Sequence, residues 1–228
     1  MAEFAQHVRV SSFLGAGYGG ALWWSGADWS HAALAGALCA VAGMLPDLDS
    51  DSGKPTRELF GITAVAVPLL LLRRLHHAGW SPEQTVLFAG ALYLAIRFGV
   101  SWVFKRLTAH RGMFHSLPAA LIAAEITFLA HNCPEAGGRL MLAGGVFLGF
   151  LSHLVLDEIY SVNAQGLKVR FNKAAGSALK LFSPSIPATL LTWTILAGLT
   201  YLVGIDRGYF QPLHFTVEFP RGITVHRP

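Results

Sequence analysis

ATLLTWTILAGLTYLVGI, residues 188–205, runs without one Asp, Glu, Lys or Arg. A helix that crosses the hydrocarbon core of a bilayer needs about 20 predominantly apolar residues, with roughly 17–25 as the usual range. This stretch meets that requirement, as does TVLFAGALYLAIRFGVSWVF at 85–104. Working outward, further apolar stretches fall at 10–24, 32–46, 59–72, 117–130 and 140–156. Those at 32–46, 59–72 and 117–130 are short for a span, which points to tilted or re-entrant segments. The expected fold is all-α: a polytopic helical membrane protein with about 5–7 transmembrane or re-entrant helices. Small residues, as in AGALCAVAG and AGGVFLG, favour close helix contact in lipid.

Composition agrees. Of the 228 residues, 53% are hydrophobic and only 13% charged, against roughly 25% charged in an ordinary soluble domain. That is too little charge to cover a water-facing surface, whereas lipid-facing helices need none. The net charge of +4 fits loops facing anionic lipid. With no Arg-rich helix and no aromatic-interleaved basic stripe, nucleic acid is excluded as a partner. Cys39 and Cys133 form no CxxC pair and read as small hydrophobes. The N-terminal MAEFAQHVRV lacks the pattern of a signal peptide. The expected organisation is one helical membrane domain over 1–205 and a short polar-aromatic tail over 206–228, with no repeat and no separate soluble domain.

Counting seven spans sorts the loops onto two sides. One side carries Arg9, Lys54, Arg57, Lys105, Arg106, Arg111, Lys168, Arg170, Lys173 and Lys180. The other carries Arg73, Arg74, Arg139, Arg207, Arg221 and Arg227. The positive-inside rule favours the first side as cytoplasmic.

Three polar clusters interrupt the apolar chain, and all fall on that first side. Gly43-Met-Leu-Pro-Asp47-Leu-Asp49-Ser-Asp51-Ser-Gly53 reads as a turn that brings Asp47 and Asp49 into one small volume. His110-Arg111-Gly-Met-Phe-His115-Ser116 leads into the span at 117–130. Ser152-His153-Leu-Val-Leu-Asp157-Glu158 closes the span at 140–156, with His153 and Asp157 four apart on one helical face. His7 lies at the mouth of the first span. Ionisable groups at the ends of spans need compensation, and a divalent metal supplies it, because carboxylates and neutral imidazoles are ligands for Zn, Mn or Fe. The ligand set expected is His7, Asp47, Asp49, His110, His115, His153 and Asp157, enough for one or two ions.

Each cluster also has a plainer reading. The aspartates make a polar turn or a hydrated Ca or Mg loop; His110 and His115 sit among headgroups; His153 and Asp157 form a helix-end ion pair; His7 belongs to a terminal surface. Around the ligands, Ser116 and Ser152 are placed to orient them or a bound water. Arg111 is placed to hold a phosphate or carboxylate bidentately, or simply a headgroup, and Glu158 is a candidate general base. Arg97 and Glu125, inside their spans, are candidates to pair with each other or to line a polar cavity.

GMLPDLDSD, HRGMFHS and GFLSHLVLD together resemble the YdjM-like family of membrane-bound metal-dependent hydrolases. The resemblance covers roughly residues 5–205 and falls on His7, Asp47, Asp49, His110, His115, His153 and Asp157. The chain departs from the commoner family pattern at Phe114, where a Thr usually precedes the second His, in the extra Asp51, and in a basic loop at 162–183. The resemblance implies an integral protein of a bacterial or archaeal plasma (inner) membrane. The expected function is hydrolysis of an ester or phosphoester of a lipid or other amphiphile, with the site facing the cytoplasm. The alternatives are a divalent-metal transporter or channel, a metal-free lipid phosphatase, and a structural membrane protein.

Overall fold

The structure is a computed structural model that describes residues 4–49, 53–100, 113–131, 136–165, 168–171, 180–183 and 185–211. The described residues form seven α-helices: α1 (Phe4–Trp24), α2 (Trp29–Ala42), α3 (Gly53–His77), α4 (Pro82–Leu94), α5 (Leu117–Ala130), α6 (Ala136–Ser161) and α7 (Ile186–Asp206). A 3₁₀ turn, Leu45–Asp49, follows α2, and α4 continues into a π-helical turn at Ala95–Val100. Three described stretches are long and apolar enough to cross a membrane: Trp29–Asp47, Gly137–Tyr160 and Ile186–Asp206. Leu117–Ala130 is apolar but shorter. The chain is an integral membrane protein.

Local signals start the helices where the chain must turn. Asp28 accepts from the backbone N–H groups of Ser30 at 3.0 Å and His31 at 3.3 Å, capping α2. Ser81 and Gln84 form a reciprocal capping box ahead of Pro82 on α4. Ser116 caps α5, where Pro118 occupies the first turn and gives up an N–H that the helix cannot use.

Close backbone approach then packs the helices. α1 lies on α2, α2 on α6, and α6 on α5, while α4 leans on α3 and α7 on α5. A Cβ at Gly15 would strike the Gly36 carbonyl of α2, and one at Gly149 would land on the Cys39 carbonyl. Glycine at these two positions is therefore what lets α1 and α6 sit against α2, as lipid-embedded helices require. Leu142 and Val146 of α6 pack with Ala35, Leu38 and Ala42 of α2. Phe150 and Leu154, farther along α6, pack with Ala119 and Ala120 of α5, and Phe60 and Ala64 of α3 pack with Ile96. Leu45 of the 3₁₀ turn touches all three clusters, which pins that turn to the bundle.

Two sequence expectations change. The basic loop at 162–183 contains an antiparallel hairpin, β1 (Val162–Gln165) and β2 (Lys168–Phe171), paired from Val162–Phe171 to Gln165–Lys168. Val162, Val169 and Phe171 favour strand locally. Glu125, expected to pair with Arg97 or to line a polar cavity, accepts a 2.8 Å hydrogen bond from Thr200 of α7. Arg97 stands over the Phe98 ring at 5.8 Å.

Candidate metal centre

Four helix ends and the 3₁₀ turn meet at one end of the bundle. α1 brings His7, the turn after α2 brings Asp47, the residues leading into α5 bring His115, and the last turns of α6 bring His153 and Asp157. The first three ring groups are buried: His7 is 2%, His115 6% and His153 1% exposed. Asp157 is 4% exposed. Asp47 remains partly open, and so forms the wet edge of the cluster.

His153 is the centre of the arrangement. Its Nδ1 lies 2.8 Å from the Gly43 carbonyl oxygen. A carbonyl can only accept, so Nδ1 carries a proton and donates, and in the neutral ring the lone pair is then on Nε2. That Nε2 is buried without a hydrogen-bond partner. It faces Asp47 Oδ1 at 3.7 Å and Asp157 Oδ2 at 3.8 Å. Across the cluster, His7 Nε2 stands 3.3 Å from Asp157 Oδ1, yet outside hydrogen-bond geometry. The His7 and His153 rings stack at 3.7 Å with 14° between planes, and His115 meets His153 edge-on at 5.6 Å.

These distances and the donor set fit a divalent cation. Two ligands each ~2.1 Å from one ion stand roughly 3.0–3.5 Å apart at angles near 90–110°. The carboxylate–imidazole separations of 3.3, 3.7 and 3.8 Å are close to that spacing and, at their upper end, too long for hydrogen bonds. A lone pair facing two carboxylates in a buried site is repulsive unless a positive charge lies between them. Two triads satisfy the requirement: His7, His153 and Asp157, and Asp47, His115 and His153. They share one histidine. Because its Nδ1 is committed to Gly43, His153 offers one ligand atom, so it serves one ion only. The described residues therefore make either one centre with up to five ligands or two neighbouring centres of which one lacks His153.

Other residues singled out by sequence fall as follows. Asp49 ends the 3₁₀ turn. His110, Arg111 and Asp51 lie outside the described residues. The Ser116 hydroxyl donates to the Met113 carbonyl and accepts from Ala119 N–H, so its bonds shape the turn that presents His115. The Ser152 hydroxyl donates to the Gly149 carbonyl at 2.7 Å, back onto its own helix. Glu158 follows Asp157 in the last turns of α6. Sequence reasoning missed Gly43, which acts through its carbonyl. It also missed Ser11, whose hydroxyl donates to the Ala40 carbonyl at 2.9 Å and ties the His7 end of α1 to α2. The small side chain is needed there, because Ser11 packs against Gly43, where any Cβ would collide with it.

The family described as YdjM inner membrane protein matches residues 1–202 of the chain. No curated protein and no solved structure matches it.

Proposed function

The chain belongs to the YdjM inner membrane protein family, and from that premise we propose that it is a membrane-embedded, metal-dependent hydrolase acting on an ester or phosphoester of a lipid or other amphiphile. The observation that carries this reading is His153, with one nitrogen held by the Gly43 carbonyl and the other left bare toward two carboxylates. Fixing the imidazole through its second nitrogen is how proteins hold a ligating histidine in the right tautomer and orientation.

We assign His7, Asp47, His115, His153 and Asp157 as metal ligands, with Asp49 and His110 as further ligands from the same motifs. A divalent cation held there would act as a Lewis acid toward an acyl or phosphoryl oxygen and would acidify a water molecule. The protein's own part is to fix the donors in a buried pocket and to bind the substrate. Asp47, the partly open member, marks where substrate enters from the headgroup region. Arg111 is assigned to the substrate's anionic group, and Glu158 to proton transfer. Ser116 and Ser152 keep His115 and His153 in register by holding the backbone next to them. The site sits at one end of the bundle, whereas a transporter places its ion site near the bilayer midplane; that position favours hydrolysis over transport.

The test is elemental analysis of detergent-purified protein, wild type beside His7→Ala, His153→Ala and Asp157→Ala, followed by a screen of phosphoester and acyl-ester lipids with and without chelator. Zn, Mn or Fe bound to wild type and lost from all three variants, with chelator-sensitive hydrolysis, is the expected result. A protein that neither retains nor takes up metal would remove this reading.

A further inference from the structure

The opposite end of the bundle carries a second polar assembly that the metal centre does not use. There α3, α5 and α7 enclose an open cleft of about 420 Å³, walled by Leu71, Leu129, Leu202 and Ile205 and bordered by Arg74 and Asp206. Its size lies within the range of small-molecule pockets. The charges at its mouth are not balanced. Asp206 is already taken, since Arg139 Nη1 lies 2.6 Å from its carboxylate. Arg139 is held further by its own Nε–H bond to the Phe128 carbonyl at 3.1 Å and by stacking over the Phe128 ring at 4.1 Å.

Arg74 has no carboxylate partner among the described residues. Its described bond is to the neutral Leu129 carbonyl, which leaves most of the guanidinium's five N–H donors available. Arg73 is exposed beside it, and Arg139 Nη2 is buried without a partner. His131, 6% exposed just past α5, supplies no negative charge in either protonation state. Burial, with Arg73, His31 and Arg139 nearby, pushes its imidazole below the usual range.

The aromatic residues fix the depth of this mouth. Trp24 ends α1, Trp29 opens α2, Trp80 follows α3 and Tyr209 follows α7, all exposed at the same end as Arg74. Exposed Trp and Tyr collect at the headgroup level of a bilayer. An aliphatic cleft thus opens beside a cation at the depth where lipid phosphates lie.

We propose that this cleft binds an anionic phospholipid, its phosphate held by Arg74 and Arg73 and one acyl chain lying along Leu71, Leu129, Leu202 and Ile205. The site is separate from the metal centre and does not depend on its chemistry. Bound lipid would fill the gap between α3 and α7, which otherwise meet mainly through α5.

Native mass spectrometry of the detergent-purified full chain, titrated with dioleoyl phosphatidylglycerol or dioleoyl phosphatidylcholine, tests this. The anionic lipid should bind at least tenfold more tightly than the zwitterionic one. Arg73→Gln combined with Arg74→Gln should abolish the preference, and Leu202→Trp, which fills the cleft, should weaken both lipids. Because Arg74 also holds the Leu129 carbonyl, Arg73→Gln alone and Arg74→Lys are measured beside the pair: the first should reduce the preference and the second retain it. His153→Ala should bind lipid as wild type does. Equal affinity for the two lipids, or a preference untouched by the arginine substitutions, overturns the proposal. Displacement of the lipid by millimolar glycerol 3-phosphate also overturns it, since that would mark a plain anion site with no role for the acyl chain.

Discussion

At the scale of single residues, the Asp157 carboxylate is the group whose cost decides between a metal ligand and an ion pair. It is 4% exposed and its described partners are two histidines, His7 at 3.3 Å and His153 at 3.8 Å. In its neutral form His153 keeps its proton on Nδ1 for the hydrogen bond to Gly43, and that ring then brings no full positive charge to offset the carboxylate. A buried carboxylate without a counter-charge destabilises the fold, and removing it can be stabilising. Asp157→Asn keeps the shape and deletes the charge. In chelator, the variant should therefore melt a few degrees above wild type. With metal at ~100 times its dissociation constant, wild type gains about 2.7 kcal/mol, or roughly 5–10 °C for a chain of this size, and Asp157→Asn should gain almost none. The crossing of the two melting curves is the signature, read by fluorescence-detected melting in detergent. If Asp157 served only in an ion pair, Asp157→Asn would melt lower under both conditions.

At the scale of elements, the site depends on how closely α6 lies against α2. The carbonyl of Gly43 reaches His153 only because Gly149, one turn earlier on α6, lets that helix rest on the Cys39 carbonyl. Gly149→Leu forces the two helices apart. Overpacking of this kind costs about 1–3 kcal/mol, and the loss should extend to function, because a His153 ring without its Gly43 bond loses its fixed tautomer. Metal affinity should fall by about 10–100-fold, the range for losing a group that orients a ligand. Gly17→Leu, on α1 with nothing near its Cβ position, should leave both metal affinity and melting unchanged and serves as the control. Retention of full metal content by Gly149→Leu would show that the site does not rely on this contact.

The same elements show what could be read from sequence and what could not. The His153–Asp157 pair was legible because i,i+4 spacing fixes a shared helical face whatever the tertiary structure. His7 became legible only through the alternation of spans, which brings the start of α1 to the end of α2 and the end of α6. The Gly43 carbonyl was not legible, since a backbone acceptor leaves no mark in residue type. The Glu125–Thr200 bond was obscured for a related reason: a hydroxyl on another span competes with an arginine, and only packing decides which is nearer.

At the scale of the whole molecule, the two ends of the bundle are chemically distinct, and charge predicts which compartment each one faces. Lys180 lies at the metal end, its carbonyl accepting from Leu117 N–H at 3.4 Å, and Arg9 follows His7 there on α1. Arg74 and Arg139 lie at the lipid-cleft end. For seven spans the sequence puts ten Lys and Arg on the side that carries the candidate ligands and six on the other, so the positive-inside rule predicts that the metal end faces the cytoplasm. Single cysteines in a Cys39→Ala, Cys133→Ser background report this directly: Ala5→Cys marks the metal end, and Ser25→Cys marks the exposed turn between α1 and α2 at the other. A membrane-impermeant maleimide added to intact spheroplasts should label Ser25→Cys at once and Ala5→Cys only after lysis. The reverse order would put the metal centre outside the cytoplasmic membrane and its substrate in the outer leaflet. Labelling of both before lysis would mean that α1 does not cross the bilayer, so that His7 would have to reach the cluster from the membrane surface.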